Sequence, residues 1–369
     1  VLKTGEQNVF LYWKGRVALF ALLRAMGVKT GDEVILPAFT CVAVPNAILY
    51  LNAIPKYVDI DETVLNPSIE HIEAAITAKT KCIIVQNTFG LSYQVEEIVK
   101  IAKKQGIYTI EDCTHGFGGT YLGLPNGSYC DAAFFSTQWN KPYSTGIGGF
   151  ALVNNETLLP ELFAVNQTLQ QPAIVKKALL GLLIRSKPWL MNESNYWFLL
   201  RLYRRLSAMG FVVGSSSGTE LSSIQQPKNY FCAMSEIQMK AGLKGLENLS
   251  EQIQLRRKNG EQYQSFLKAM NKWHYPEEVI KNHSFLKYPI FVKNRKAFLK
   301  KAEQAKIRLS DWFSSPIHPV QKHFELWGLN WKEFPHGREA SAHILNLPTD
   351  TTRIREVLDF LAKNAEELI

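Results

Sequence analysis

The sequence predicts an α/β protein. Its large domain holds a mostly parallel, mixed sheet between helices, and a smaller C-terminal α/β domain follows. Three observations lead there. Over the first 155 residues, helix-like and strand-like patterns alternate at short intervals. The strand segments are continuous apolar runs, as expected of a sheet covered on both faces. Gly27, Pro37, Pro67 and Gly106 stand at the joins.

Residues 17–26 read as a buried helix, closed by Gly27 and the polar turn 29–32. Residues 33–36 form an apolar strand stopped by Pro37, followed by a helix over 42–51 and a strand over 56–60. Asn66-Pro67-Ser68 opens a helix over 69–77. A strand over 82–85, an amphipathic helix over 94–104 and a strand over 107–110 come next. Strands at 132–136 and 149–153 complete the set. The stretch 167–226 differs in kind, mixing Trp189, Tyr196, Trp197, Phe198 and Tyr203 with Lys176, Lys177, Arg185, Lys187, Arg201, Arg204 and Arg205. A flexible-looking run, 214–219, follows those aromatics. A helix is expected over 235–258 and another over 352–368. The domain boundary falls at 245, giving a large domain 1–245, with the basic aromatic insertion at 167–226, and a small domain 246–369.

With 369 residues, 46% hydrophobic and 20% charged, the chain can bury a real core, which excludes disorder as its overall state. A net charge of +9 suits anionic partners (phosphorylated metabolites, nucleic acid, acidic lipid) without choosing among them. Cys41, Cys82, Cys113, Cys130 and Cys232 are widely spaced with no CxxC pair, so neither a disulfide framework nor a zinc site is encoded, and no metal is expected. No segment approaches the ~20 apolar residues of a membrane span. The run 178–184 is far shorter and is flanked by Lys177 and Arg185. The first ten residues lack the layout of a signal peptide. A soluble, cytoplasmic protein is expected.

Three constellations carry chemistry. Ile110-Glu111-Asp112-Cys113-Thr114-His115-Gly116 closes a strand, with Asp112 where strand gives way to loop. Ligands of open α/β sheets bind beyond such strand ends. Alone, Asp112 reads as a cap or turn carboxylate and His115 as a packed or surface histidine. The second run, Phe134-Phe135-Ser136-Thr137-Gln138-Trp139-Asn140-Lys141, precedes Gly146-Ile147-Gly148-Gly149. A loop lysine is usually a solvated charge. Beside a strand-end serine and a glycine-rich return, its amine can form a Schiff base with a carbonyl compound while the hydroxyl binds phosphate. The third is Lys14-Gly15-Arg16, a glycine at a helix start, where backbone N–H groups favour anions. Together they describe one site. A phosphate rests on the Gly15–Arg16 helix start and Ser136, Lys141 captures an aldehyde, and Asp112 faces a heteroaromatic nitrogen. Pyridoxal 5'-phosphate requires all three contacts.

The chain resembles the DegT/StrS-type sugar aminotransferases, which share the aspartate-aminotransferase fold (fold type I) of pyridoxal-phosphate enzymes. Gly15-Arg16-Val17-Ala18-Leu19 with Gly31-Asp32-Glu33-Val34-Ile35-Leu36-Pro37 is similar to the family's opening pattern. Val58-Asp59-Ile60-Asp61 and Lys79-Thr80-Lys81-Cys82-Ile83-Ile84 resemble its next strands. Glu111-Asp112 with His115, the Ser136 to Lys141 spacing, Phe334-Pro335 and Asn346-Leu347-Pro348 complete the likeness. The resemblance implies a Schiff base on Lys141, which also moves the proton, and ring-nitrogen contact from Asp112. It implies an amino-acid donor, often glutamate, a keto-sugar acceptor that is nucleotide-linked, polysaccharide or antibiotic sugar biosynthesis as the setting, and a homodimer. Dehydrating relatives usually carry His at the lysine position, so Lys141 favours amino transfer.

Departures from the family pattern are equally specific. Ile147 replaces the usual Glu of the glycine turn. The aromatic expected to stack on the cofactor matches Cys41, with Phe39 or His115 as alternatives. Phe231 and Ala233 stand where the family places Asn and Arg that reach a partner's phosphate, unless Asn229 substitutes through a register shift. His318 in Pro316-Ile317-His318-Pro319 resembles a substrate-side loop, although a turn histidine fits equally well. The segment 167–226 is longer than the family leads one to expect. Two other readings stand beside aminotransfer: a pyridoxal-phosphate sugar dehydratase or eliminase, and a non-catalytic basic binding protein on the same scaffold. For the segment itself, a helical cover on the domain or on a dimer partner competes with peripheral membrane contact, and no nucleic-acid partner is expected.

Overall fold

A strand that periodicity passed over begins the fold in the computed structural model, which describes residues 8–190, 196–208 and 218–369. The N-terminal residues 1–7 and the run 214–217, both singled out above, lie outside the described residues. The order is β1 (Val9–Tyr12), α1 (Gly15–Ala25), β2 (Glu33–Pro37), β3 (Thr40–Cys41), α2 (Ala43–Leu49), β4 (Ile54–Val58), α3 (Ile69–Ala75), β5 (Thr80–Gln86), α4 (Val95–Lys104) and β6 (Tyr108–Asp112). A small hairpin, β7 (Thr120–Tyr121) and β8 (Leu124–Pro125), leads to β9 (Ala132–Gln138) and β10 (Ile147–Val153). Seven strands form one sheet in the order β1-β10-β9-β6-β5-β2-β4. From β9 to β4 every pairing is parallel, whereas β10 and β1 close that edge antiparallel. The connection 139–146 is too short for a parallel crossover, so β10 must turn back on β9.

Helix α1 is buried at every position except Arg24, because GRVALFALLRA is apolar on nearly all sides and is packed into the largest core cluster. Helix α3 starts where Ser68 accepts the His71 N–H. β4 lies two residues earlier than expected, in register with β2 from Glu33–Ile54 to Pro37–Val58. Asp59 leaves the sheet to accept the N–H groups of His336 and Gly337 at 3.0 and 2.9 Å.

The chain continues through α5 (Leu159–Asn166), α6 (Ile174–Leu190), α7 (Tyr196–Ala208), α8 (Gly218–Ser222), α9 (Glu236–Leu246), α10 (Leu249–Ala269) and α11 (Glu277–Ile280). The helix expected over 235–258 is therefore two: α9 opens on a Ser235/Gln238 capping box and the chain breaks at Asn248, φ −108° and ψ 10°. Then come β11 (Lys287–Phe291), α12 (Arg295–Gln304), β12 (Ile317–His318), α13 (Pro335–His343), β13 (Ile344–Pro348) and α14 (Ile354–Lys363). The last helix also ends early, at Asn364. Beyond it the tail turns back so that Ile369 N–H donates to Phe291 O at 2.9 Å. β11 and β13 pair antiparallel over a second core that includes Tyr263, Phe298, Leu345 and Phe360. β12 pairs in parallel with β3, setting His318 opposite Cys41 and joining the C-terminal half to the large sheet's loops.

α6 packs through Leu180 and Ile184 near Trp13, Trp139 and Ile147. On α7, Trp197 Nε1 donates to Ile307 O at 3.3 Å and Arg201 pairs with Glu303. Among the described residues no helix is long and apolar enough to cross a membrane. All five cysteines are free thiols.

Candidate active site

The carboxyl ends of β5, β6 and β9 meet at one edge of the sheet. Asp112 is the last residue of β6, in register with Gln86 on β5 and Phe134 on β9. It is 3% exposed. Burial raises its carboxyl above the ordinary range, while hydrogen bonds from Thr114 and the nearby Lys141 hold it down. The Thr114 N–H donates to its Oδ1 at 3.0 Å.

Ser136 lies within β9 opposite Gly149 on β10. Gly15 opens α1, and a Cβ there would stand 3.1 and 3.2 Å from Ser136 Cα and Cβ and 2.9 Å from Phe135 O. At Gly149 a Cβ would fall 2.2 Å from Gly15 Cα. Only two glycines let these backbones touch, and the contact sets the N–H groups of the first turn of α1 beside Ser136. Gly15→Ala should push α1 off the sheet at a cost of about 1–3 kcal/mol. It should also weaken phosphate retention about tenfold, the weight of a favourable helix-end contact. Thermal midpoint and cofactor dissociation rate would show both. An unchanged dissociation rate would separate the cradle from the phosphate.

Lys141 sits in the β9–β10 connection. Its N–H donates to Gln138 O at 3.0 Å, the Thr145 N–H donates to Thr137 O at 2.9 Å, and the two threonine hydroxyls lie 2.6 Å apart. This tight return folds the lysine inward, leaving it 8% exposed. Burial lowers its ammonium to about 7, against the opposing pull of Asp112. Its Nζ stands 5.0 Å above the Trp312 ring, and Lys287 Nζ stands 5.6 Å from the same ring. Burial lowers Lys287 to about 8.

His115 stacks on Trp312 at 5.2 Å and on Phe89 at 6.1 Å. Its Nδ1 accepts the Phe89 N–H at 3.2 Å, which leaves the ring proton on Nε2. Burial, then Lys141, Lys287 and His318, push it well below the usual histidine range, so the imidazole is neutral. Cys41 is half-buried within electrostatic reach of Arg16, Asp112 and Lys141, and burial raises its thiol. Phe39, considered above as a stacking ring, is fully buried against Phe89 and Phe313 and is a core residue. Phe231 packs against Tyr12 and Phe20, and Ala233 bridges to Tyr12, so this loop is fastened to its own subunit.

The Arg16 side chain is engaged by an acid. Its guanidinium is buried and bonded to Glu220 Oε1 at 2.5 Å, which leaves the backbone N–H, not the side chain, for an anion at the helix start. Lys14 Nζ lies 4.0 Å from the same carboxylate.

Sequence reasoning missed Glu220, Lys287 and Trp312. None of them carries a motif signal, since only the closed fold brings them near the strand ends.

These groups fit pyridoxal phosphate: a glycine cradle at a helix start for its phosphate, a buried amine of lowered basicity for its aldehyde, and a buried carboxylate for its ring nitrogen. A seven-stranded mixed sheet with such a strand-end site defines a fold type I pyridoxal-phosphate transferase. Comparison with known proteins agrees: the profile of the DegT/DnrJ/EryC1/StrS aminotransferase family matches residues 4–177 and 200–359. The chain belongs to that family. GDP-perosamine synthase of Escherichia coli O157:H7 is 41% identical over 160 residues, 42% of this chain and 44% of that protein. UDP-N-acetyl-3-dehydro-alpha-D-glucosamine 3-aminotransferase of Acidithiobacillus ferrooxidans is 42% identical over 145 residues, 39% of each. The matched stretch thus spans less than half the length of either relative. The crystal structure of NtdA from Bacillus subtilis with bound cofactor PMP superposes with a TM-score of 0.70 at 21% identity, covering 97% of this chain and 73% of that one.

Proposed function

We propose that the protein is a pyridoxal-phosphate-dependent aminotransferase that moves the amino group of an amino acid, glutamate by family resemblance, onto a nucleotide-linked keto-sugar. The observation that carries this is the buried Lys141 amine, lowered to about 7, held near Asp112 at the carboxyl edge of the sheet. The names of the two curated relatives support a sugar acceptor on a nucleotide carrier.

When bound, pyridoxal phosphate supplies an aldehyde for the donor amine and a ring that takes up the electron pair left by the donor's α-proton. The chain's own residues do the rest. Ser136 Oγ and the first N–H groups of α1, at Gly15 and Arg16, bind the phosphate. The Asp112 carboxylate holds a proton on the ring nitrogen. The Lys141 amine, part neutral near pH 7, would take the proton from the donor α-carbon and return it two atoms away, on the far side of the transferred nitrogen. Neutral His115 and Trp312 wall the site against water, and His318, opposite Cys41, stands on the acceptor side. The division into a large unit to residue 245 and a smaller one beyond it belongs to the same proposal, as does a homodimer.

Incubating cofactor-loaded protein with glutamate alone should give one keto acid per site, with the cofactor recovered as pyridoxamine phosphate. An eliminase would give neither, and that outcome would overturn the transfer reading.

A further inference from the structure

The family profile leaves out residues 178–199, the end of α6 and the start of α7. One face of each helix is anchored: α6 through Leu180 and Ile184, α7 through Trp197 and Arg201. Their other faces point outward. Ile174, Val175 and Leu182 on α6 are 79%, 77% and 65% exposed, and Phe198 and Leu202 on α7 are 62% and 40% exposed. At helical spacing Leu182 aligns with Arg185 on α6, and Phe198 and Leu202 align with Arg205 on α7. Both arginines are exposed.

Across 167–219 the sequence carries seven Lys and Arg and a single acid, Glu193. Soluble surfaces scatter large apolar residues singly, and their recurrence along one face of a helix, here on each of two helices, marks an interaction site. We infer that the outward faces of α6 and α7 dock on an anionic lipid bilayer. Aliphatic and aromatic side chains enter the headgroup boundary there while arginines meet lipid phosphates, and the helices lie in the interface instead of crossing it.

Charge selects this occupant. A two-fold contact between copies would set the same cations against one another. Nucleic acid would use the cations, but exposed Ile, Val and Leu add nothing to phosphate contact or base stacking.

The test is co-flotation of the full chain with vesicles of phosphatidylcholine mixed with phosphatidylglycerol, against phosphatidylcholine alone. Binding is expected only to the anionic vesicles and should fall with added salt. Arg185→Gln with Arg205→Gln should weaken partitioning about thirtyfold, at roughly fivefold per cation. Leu182→Ser with Phe198→Ser should abolish binding at an unchanged thermal midpoint, because both residues are exposed. Equal binding to both vesicle types, or none to either, would overturn the inference. So would an apolar variant that floats like the parent while shifting from dimer to monomer in sedimentation. Oligonucleotide binding lost with the arginines while vesicle binding persists would count against it as well. The readout does not involve amine transfer, so it stands or falls separately from the proposed activity.

Discussion

Lys141→Ala should lower amine transfer by at least about 10⁴-fold, because one substitution removes both the nucleophile and the proton carrier. Borohydride treatment followed by mass spectrometry should find the cofactor fixed to Lys141 in the parent and nowhere in the variant. The variant should still retain pyridoxal phosphate without a covalent bond, through Ser136 and the Gly15 cradle, so lost activity is not confused with lost folding. Asp112→Asn provides the contrast: the covalent attachment persists while turnover falls, since the amide cannot stabilise charge on the ring nitrogen. The pH dependence follows from burial. Only the neutral amine attacks an aldehyde, and Lys141 titrates at about 7 in the folded chain instead of 10.5. The rate at which cofactor-free protein captures pyridoxal phosphate should therefore rise as pH passes through about 7 and level off above it. A rate that keeps climbing toward the range of an exposed lysine would mean that the amine is solvated, and the mechanism would lose its central group.

Asp112, Ser136 and Lys141 stand out in the sequence because Asp112 closes β6 while Ser136 and Lys141 flank the end of β9, where apolar runs stop and polar chemistry begins. Those ends share an edge because consecutive βα units share a sheet. Gly15 and Gly149 were visible as glycines, although only the packed structure shows that their backbones touch. Local patterning has no access to residues delivered by chain closure. Trp312 and Lys287 approach Lys141 from the C-terminal half, and Glu220 comes from a turn of helix far along the chain. β1 escaped notice because four residues with an exposed–buried mixture carry little periodic signal. Arg16 illustrates the limit from the other side. Its place at a helix start points to its backbone N–H as an anion ligand, but nothing local announces that its guanidinium pairs with Glu220.

Glu220→Ala should cost about 3–5 kcal/mol of stability, because it removes the carboxylate bonded to a buried guanidinium. The pair is well sealed, with side-chain exposures of 5% for Arg16 and 4% for Glu220. Other anchors of this corner do not use the Glu220 carboxylate: its carbonyl accepts Asn46 Nδ2 at 2.9 Å, and the Tyr230 hydroxyl donates to Arg16 O at 3.0 Å. The loss should therefore belong to the charge. Replacing both partners, Arg16→Met with Glu220→Leu, should recover most of it, since a packed apolar pair has no unpaired ion to desolvate. Thermal midpoints of the single and double variants decide this, and a single variant as stable as the parent would refute the pairing. Anion binding should move the opposite way. Removing the acid takes one negative charge away from the helix start. Inorganic phosphate should then raise the midpoint of Glu220→Ala more than that of the parent, because a ligand stabilises in proportion to its affinity for the folded chain. A substitution that weakens the fold while tightening its hold on phosphate would be hard to explain unless the anion sits where α1 begins.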